Sequence, residues 1–212
     1  MQKNISILIP VFNEQNTICE IIKKVLAQKQ YTKEIIVIDD NSSDQTKKLL
    51  KDYFSENIKL IENEKNYGKG YCLKQGIKNA SGEIIIIQDA DLEYDPSDYT
   101  KLVSPIIDNK ADVVYGSRFI GDSEKRVLFF WHRVGNLILT FLSNAFTNLN
   151  LTDMEVGYKA FKTECIKDIE LCEKRFGFEP EITAKIAKLD CRIYEVGISY
   201  YGRTYNEGKK IG

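Results

Sequence analysis

Short runs of branched apolar residues alternate with segments of helical apolar spacing over residues 1–118. Ile5-Ser6-Ile7-Leu8-Ile9 is followed by Ile18, Ile21, Ile22, Val25 and Leu26, three to four residues apart. Glu34-Ile35-Ile36-Val37-Ile38 is followed by Leu49, Leu50, Tyr53 and Phe54 in the same way. Ile58 to Ile61 predicts a weaker strand, and Leu73, Ile77 and Ala80 a helix that Gly82 would stop. Ile84-Ile85-Ile86-Ile87 reads as a strand buried on both faces. Asp95-Pro96 predicts a helix start with a cap and a proline at the first position. That helix carries Leu102, Val103, Ile106 and Ile107, and Pro105 is expected to bend it. Val113-Val114-Tyr115 is the fifth strand. For the first helix, Thr17-x-x-Glu20 offers a capping box and Asn13 an alternative cap. Strands apolar on both faces, separated by amphipathic helices, imply an α/β fold with a Rossmann-like, mostly parallel sheet covered on both faces.

After Gly121 the pattern changes. Phe130, Val134, Leu137, Ile138, Phe141, Ala145 and Phe146 mark a broad helical stripe within 127–147, with Arg126, His132 and Arg133 at its start. Two readings stay open. The stripe packs as core or as a dimer contact, or it lies in a membrane interface. The tail predicts an apolar segment at Tyr158–Phe161, a helix around Ile182 to Leu189, a strand from Ile193 to Tyr200, and a loop from Tyr201 to Gly212. The chain therefore reads as one domain, residues 1–212, in two parts, 1–118 and 119–212.

With 30 basic and 31 acidic side chains and a net charge of -1, nothing global favours nucleic acid as a partner. The five cysteines are scattered and never form a CxxC pair, which argues against a disulfide framework and for a reducing cytosol. His132 is the only histidine, so imidazole-based zinc chemistry and a Ser-His-Asp triad are excluded. The N-terminus does not read as a signal peptide, and no apolar run reaches the ~18 residues of a spanning helix.

Candidate chemistry follows the strands. In an open α/β sheet, ligands bind beyond the carboxyl ends of the strands, so motifs distant in sequence meet at one rim. Pro10-Val11-Phe12-Asn13-Glu14 follows the first strand, Asp39-Asp40 the second, Asp89-Ala90-Asp91 the fourth. Two carboxylates as close as Asp89 and Asp91 repel unless a cation sits between them, and a hard divalent ion such as Mn²⁺ or Mg²⁺ meets that need. A solvated acidic turn is the plainer alternative. Ser42, Ser43 and Asp44 suit helix capping. Asp39 and Asp40 exceed that requirement and could bind a base or ribose. Asn66-Tyr67-Gly68-Lys69-Gly70 is a glycine loop entering a helix, either a tight turn or a phosphate or sugar contact. Arg118, just past the fifth strand, is a candidate for diphosphate or a plain surface arginine.

Taken in order, these motifs resemble glycosyltransferase family 2, the inverting GT-A enzymes. The resemblance continues through Tyr115-Gly116-Ser117-Arg118, Thr152-Asp153-Met154-Glu155 and Tyr201-Gly202-Arg203-Thr204, nearly the whole chain. It is strongest to the dolichyl-phosphate mannose synthase and polyprenyl-phosphate glycosyltransferase branch. The resemblance implies that Pro10, Phe12, Glu14, Asp39 and Asp40 line a nucleotide pocket, with Lys69, Ala90 and Arg118 on the donor. Asp89 and Asp91 would hold the metal, joined by Glu93, where relatives often carry glutamine. Asp91, Asp153 and Arg203 would be catalytic, Arg203 in a closing loop with Lys209 and Lys210. Asp153 would serve as general base for a hydroxyl acceptor, or orient a polyprenyl phosphate that needs none; a helix or turn cap is the bland alternative. The implied activity moves a hexose from a UDP- or GDP-sugar to a lipid phosphate. Transfer to a growing glycan and a non-catalytic nucleotide-sugar module are the alternatives. The implied place is the cytoplasm, peripheral at the cytosolic face of a membrane.

Overall fold

The computed structural model describes residues 4–52, 58–121, 125–127 and 129–207. Seven strands form one sheet in the order β3-β2-β1-β4-β6-β5-β7. They are β1 (Asn4–Val11), β2 (Thr32–Asp39), β3 (Ile58–Glu62), β4 (Ile84–Ile87), β5 (Val113–Ser117), β6 (Lys159–Lys162) and β7 (Ile193–Gly197). β1 pairs in parallel with β2 and β4, β2 with β3, and β5 with β7. β6 runs antiparallel between β4 and β5. Because β6 is reversed, its leading residues arrive at the rim where the parallel strands end. The 153–157 turn is thereby delivered to the same place as the residues that follow β1, β2, β4 and β5.

The core is the run of isoleucines, valines and leucines expected from the strand pattern: Ile5 to Ile9 (with the polar Ser6 buried among them), Ile35 to Ile38, and Ile84 to Ile87 are all buried. Helices α1 (Ile18–Ala27), α2 (Thr46–Asp52), α3 (Lys69–Asn79) and α4 (Tyr99–Ile107) connect the first five strands. In α1, Ile18, Ile21, Ile22 and Val25 are buried as their spacing predicts, while Leu26, at the helix end, is exposed. Tyr53 and Phe54 lie outside the described residues.

Several local expectations change. Thr17 makes no side-chain cap bond to α1; its hydroxyl donates to Glu14 Oε2 at 2.9 Å. Asn13 does not cap it either, because Asn13 Oδ1 accepts from the Ser43 backbone at 2.8 Å and ties β1 to the turn before α2. Asp95 caps a single 3₁₀ turn, Pro96–Asp98, and α4 follows it. Gly82 is no left-handed stop. A Cβ there would meet Ser6 N at 2.7 Å, so glycine is needed for close approach to β1.

The second half adds α5 (Phe130–Thr147), α6 (Thr163–Ile166) and α7 (Phe178–Ile186). Core packing of the α5 stripe is not what forms. Thr140 is its one buried residue, while Phe130, Trp131, Leu137, Ile138, Phe141, Leu142 and Phe146 are exposed. The helix docks through a polar row spaced by four instead. Asn136 donates to Asp153, Thr140 accepts from Met154 N, and Asn144 bonds Leu151 through both amide atoms. The row satisfies the backbone of the 151–154 turn and turns the apolar arc outward. No helix among the described residues is long and apolar enough to cross a membrane.

Candidate active site

β2 ends on Asp39, which is fully buried. Its Oδ2 accepts from Ser42 N at 3.1 Å, while its Oδ1 has no hydrogen-bond partner among the described residues. Burial pushes this carboxyl above the usual range, with the Ser42 bonds opposing. A buried acceptor left open at a strand's carboxyl end costs free energy unless a ligand completes it. Asp40, next in the chain, is fully occupied. It accepts from Asn63 Nδ2 at 2.8 Å, Tyr67 N at 3.0 Å and Gly68 N at 2.6 Å. Its carboxylate therefore holds the glycine loop. That loop needs glycine: Gly68 has φ +100, and a Cβ there would lie 2.5 Å from Lys174 O. Pro10 is half-buried at the end of β1, Phe12 lies exposed just beyond it, and Glu14 is buried.

Buried Ile87 ends β4, and Asp89, Ala90 and Asp91 emerge at the rim. Each aspartate meets a cation from elsewhere. Lys69 opens α3 and reaches Asp89 Oδ1 at 2.8 Å and Glu179 of α7 at 3.1 Å. The two carboxylates raise the pKa of Lys69 despite its burial. A Cβ at Gly157 would lie 2.3 Å from Asp89 Oδ2, so the turn before β6 leaves just enough room for that carboxylate. Asp91 Oδ2 lies 3.1 Å from Arg203 Nη2. Burial, then repulsion by Asp89 and Glu93, pushes its pKa up to about 7, with Arg203 opposing. Glu93 is spent on the same loop, accepting from Arg203 N at 2.9 Å and from Tyr200 Oη at 3.1 Å. Lys209 and Lys210 lie outside the described residues.

The donor set of Asp89 and Asp91 suits a hard divalent ion: two carboxylates that repel each other and already draw cations toward them. No three His, Cys, Asp or Glu side chains among the described residues form a self-contained cage. A metal held here would complete its shell with ligand oxygens and water.

Arg118 follows β5 and is clamped by Asp153. The guanidinium donates from Nε to Oδ2 and from Nη2 to Oδ1, both at 2.7 Å, and the Arg118 backbone adds a third bond at 3.0 Å. Asn136 of α5 donates to Asp153 Oδ1 at 3.0 Å. Both oxygens of this wholly buried aspartate are thus committed. Burial works against the charge on Arg118, but Asp153 and the tyrosine hydroxyls hold its pKa well above normal.

Sequence reasoning missed Glu179, Gly157, Asn136 and the buried Lys159, whose ammonium donates to Met154 O and Val156 O and so braces the turn that carries Asp153. The four-residue spacing of Asn136, Thr140 and Asn144 was the one available signal for α5's inner face.

Residues 6–170 match the model of the family described as Glycosyl transferase family 2. The chain is similar to a UDP-N-acetylglucosamine–dolichyl-phosphate N-acetylglucosaminyltransferase of Methanococcus voltae, with 30% identity over 89% of this chain and 82% of that one. It is also similar to the dodecaprenyl-phosphate galacturonate synthase of Rhizobium johnstonii, with 24% identity over 97% of this chain, which spans 61% of that protein's length. Among solved structures, the glucosyl-3-phosphoglycerate synthase of Mycobacterium tuberculosis, in complex with Mn²⁺, UDP and phosphoglyceric acid, superposes with a TM-score of 0.72. That likeness covers 97% of this chain and 73% of that one at 19% identity, and it is a likeness of fold, GT-A.

Proposed function

The chain belongs to glycosyl transferase family 2, and from that premise we propose that it moves a hexose, with inversion, from a UDP- or GDP-sugar to a polyprenyl phosphate at the cytosolic face of a membrane. The observation that carries the lipid acceptor is the orientation of α5. Its inner row reaches Asp153 through Asn136, and Asp153 clamps Arg118, so the helix that carries the exposed apolar arc is anchored to the site's arginine. A helix with an exposed apolar arc and Arg126 and Arg133 at its start suits the headgroup boundary of a bilayer. The names of the relatives on lipid phosphates point the same way.

In this reading Asp39 Oδ1 accepts a hydrogen bond from the base, and Pro10, Phe12 and Ala90 line the nucleotide. Mn²⁺ or Mg²⁺ held by Asp89 and Asp91 would offset charge on the departing diphosphate. Arg118, fixed by Asp153, aims its remaining N–H groups at phosphate. A lipid phosphate is already anionic and attacks without a base. Transfer to a sugar hydroxyl would need Asp153 to take a proton, and four donors already fill that aspartate.

A thermal-shift panel of UDP, GDP, CDP and their sugars, each with Mn²⁺ and with EDTA, tests the donor. At ~100 times its dissociation constant a ligand adds about 2.7 kcal/mol. A shift with one base, lost in EDTA, is expected. A shift indifferent to EDTA removes the metal, and no shift at all removes the donor. A shift without sugar transfer to polyprenyl phosphate leaves the binding-module alternative.

A further inference from the structure

Arg203 is held unlike the other arginine of the site. Arg118 makes a two-pronged contact with one carboxylate, both bonds at 2.7 Å. The guanidinium of Arg203 meets three carboxylates, all at longer range, and its two-pronged contact goes to Glu14. Nη2 lies 3.1 Å from Asp91 and 3.4 Å from Glu14, Nη1 3.3 Å from Glu14, and Nε 3.6 Å from Glu93. Arg203 Nε is buried and makes no hydrogen bond among the described residues. Charge-assisted pairs with good geometry close to about 2.7–2.9 Å. The fork of Arg203 is loose and goes to Glu14, while its hold on Asp91 is a single bond at 3.1 Å, which a cation of higher charge density can replace.

The backbone around Arg203 is secured separately. Arg203 N donates to Glu93 Oε1 at 2.9 Å and Tyr201 N to Glu93 O at 3.0 Å. Arg126 Nη1 holds Gly202 O at 3.2 Å. The side chain can leave Asp91 while the loop stays in place. Among the described residues, Lys69 pairs with Asp89 and Glu179, and Arg203 with Glu14, Asp91 and Glu93, so each of these cations is divided among several carboxylates.

We propose that Arg203 is the resident counter-ion of this acidic cluster, and that its guanidinium must leave Asp91 before a divalent cation binds there. The proposal rests on the assignment of Asp89 and Asp91 as metal ligands. Until it is released, Arg203 is spent on carboxylates and unavailable to phosphate. Its release makes a guanidinium available at the moment the donor is loaded. The enzyme thereby orders its two anionic substrates without any rearrangement of the sheet.

The experiment is titration with Mn²⁺ alone, with free Mn²⁺ read by electron paramagnetic resonance, on the wild-type chain and on Arg203→Gln, both checked for folding by circular dichroism. Arg203→Gln removes the competing charge and is expected to bind Mn²⁺ about tenfold more tightly, an ordinary coupling between competing ligands. Equal or weaker binding by the variant, with Mn²⁺ still taken up by the wild type, overturns the proposal and leaves the metal assignment standing. No uptake by either protein overturns the metal assignment and this proposal with it. A second measurement needs no substitution: phenylglyoxal labelling of Arg203 in the wild type, located by mass spectrometry, is expected to speed up when Mn²⁺ is added. Labelling at an unchanged rate, with Mn²⁺ bound, overturns the proposal.

Discussion

Replacing Asp153 with alanine tests whether this aspartate works through Arg118 or by itself. Asp153 is wholly buried and accepts four hydrogen bonds, three from Arg118 and one from Asn136. Removing one partner of a buried ion pair leaves an uncompensated charge, at a typical cost of about 3–5 kcal/mol. The Arg118 side chain keeps 18% of its exposure, and its guanidinium lies 5.3 Å from the centre of the Tyr200 ring. Partial hydration and the ring's face offset part of the loss, so the lower end, about 3 kcal/mol, is expected. Urea unfolding reads it directly. In Arg118→Met the buried aspartate is the stranded partner, and in the double variant neither charge is stranded. The double variant should therefore be more stable than the sum of the single losses implies, by at least about 1 kcal/mol. Transfer activity should follow the same logic. Each single variant lowers kcat/KM, and the double variant lowers it little further. Independent, multiplying losses in activity would refute the clamp and restore Asp153 as a base. A stability loss under about 1 kcal/mol for Asp153→Ala would refute the electrostatic argument itself.

Two other predictions follow from exposure and burial. Phe130→Ser with Phe141→Ser should release the protein from anionic liposomes in a flotation assay; both rings are exposed (68% and 67%), so stability should change by no more than about 0.5 kcal/mol each. Unfolding, or undiminished flotation, would remove α5 from the membrane contact. Lys159, buried against the Tyr115 ring, has its pKa lowered to about 8 by burial, with Glu179 opposing. Above that pH the folded state sheds a proton that the unfolded chain keeps until its ordinary value of 10.5, so stability from this group rises as pH climbs between them. Its largest slope is about 1.4 kcal/mol per pH unit. Subtracting urea stabilities of Lys159→Met from wild type between pH 8 and 10 should show that rise, and parallel curves would exclude it.

The sheet was legible because its strands are buried on both faces, which forces continuous apolar runs such as Ile84 to Ile87. Asp39, Asp89, Asp91 and Arg118 were legible as candidates for a different reason: each ends or follows such a strand, and an open sheet brings strand ends to one rim. Glu179 was not legible, because its partner Lys69 lies far back in the chain and no local pattern relates them. The direction of β6 was hidden too, since Lys159-Ala160-Phe161-Lys162 has the same alternation read either way. On α5 the apolar stripe was read correctly as a pattern, but a pattern does not say which side faces the protein. Thr140 and Asn144 take the inner side because the turn at 151–154 offers them unpaired backbone groups, and Asn136 because it meets the Asp153 carboxylate. Apolar residues there could not have satisfied those groups.

The reversed strand β6 has a consequence for how this protein can be divided. The chain completes β5, leaves the sheet to build α5, and returns to slot β6 between β4 and β5. β4 and β5 therefore never bond each other; each depends on a strand made later. A fragment ending at residue 118 would leave β4 with a naked edge of buried isoleucine and β5 with nothing to attach to. Residues 1–118 are thus no detachable cassette. Grafting a different second half onto them means replacing a central plank of the sheet, so the two halves can be varied only in ways that keep that plank.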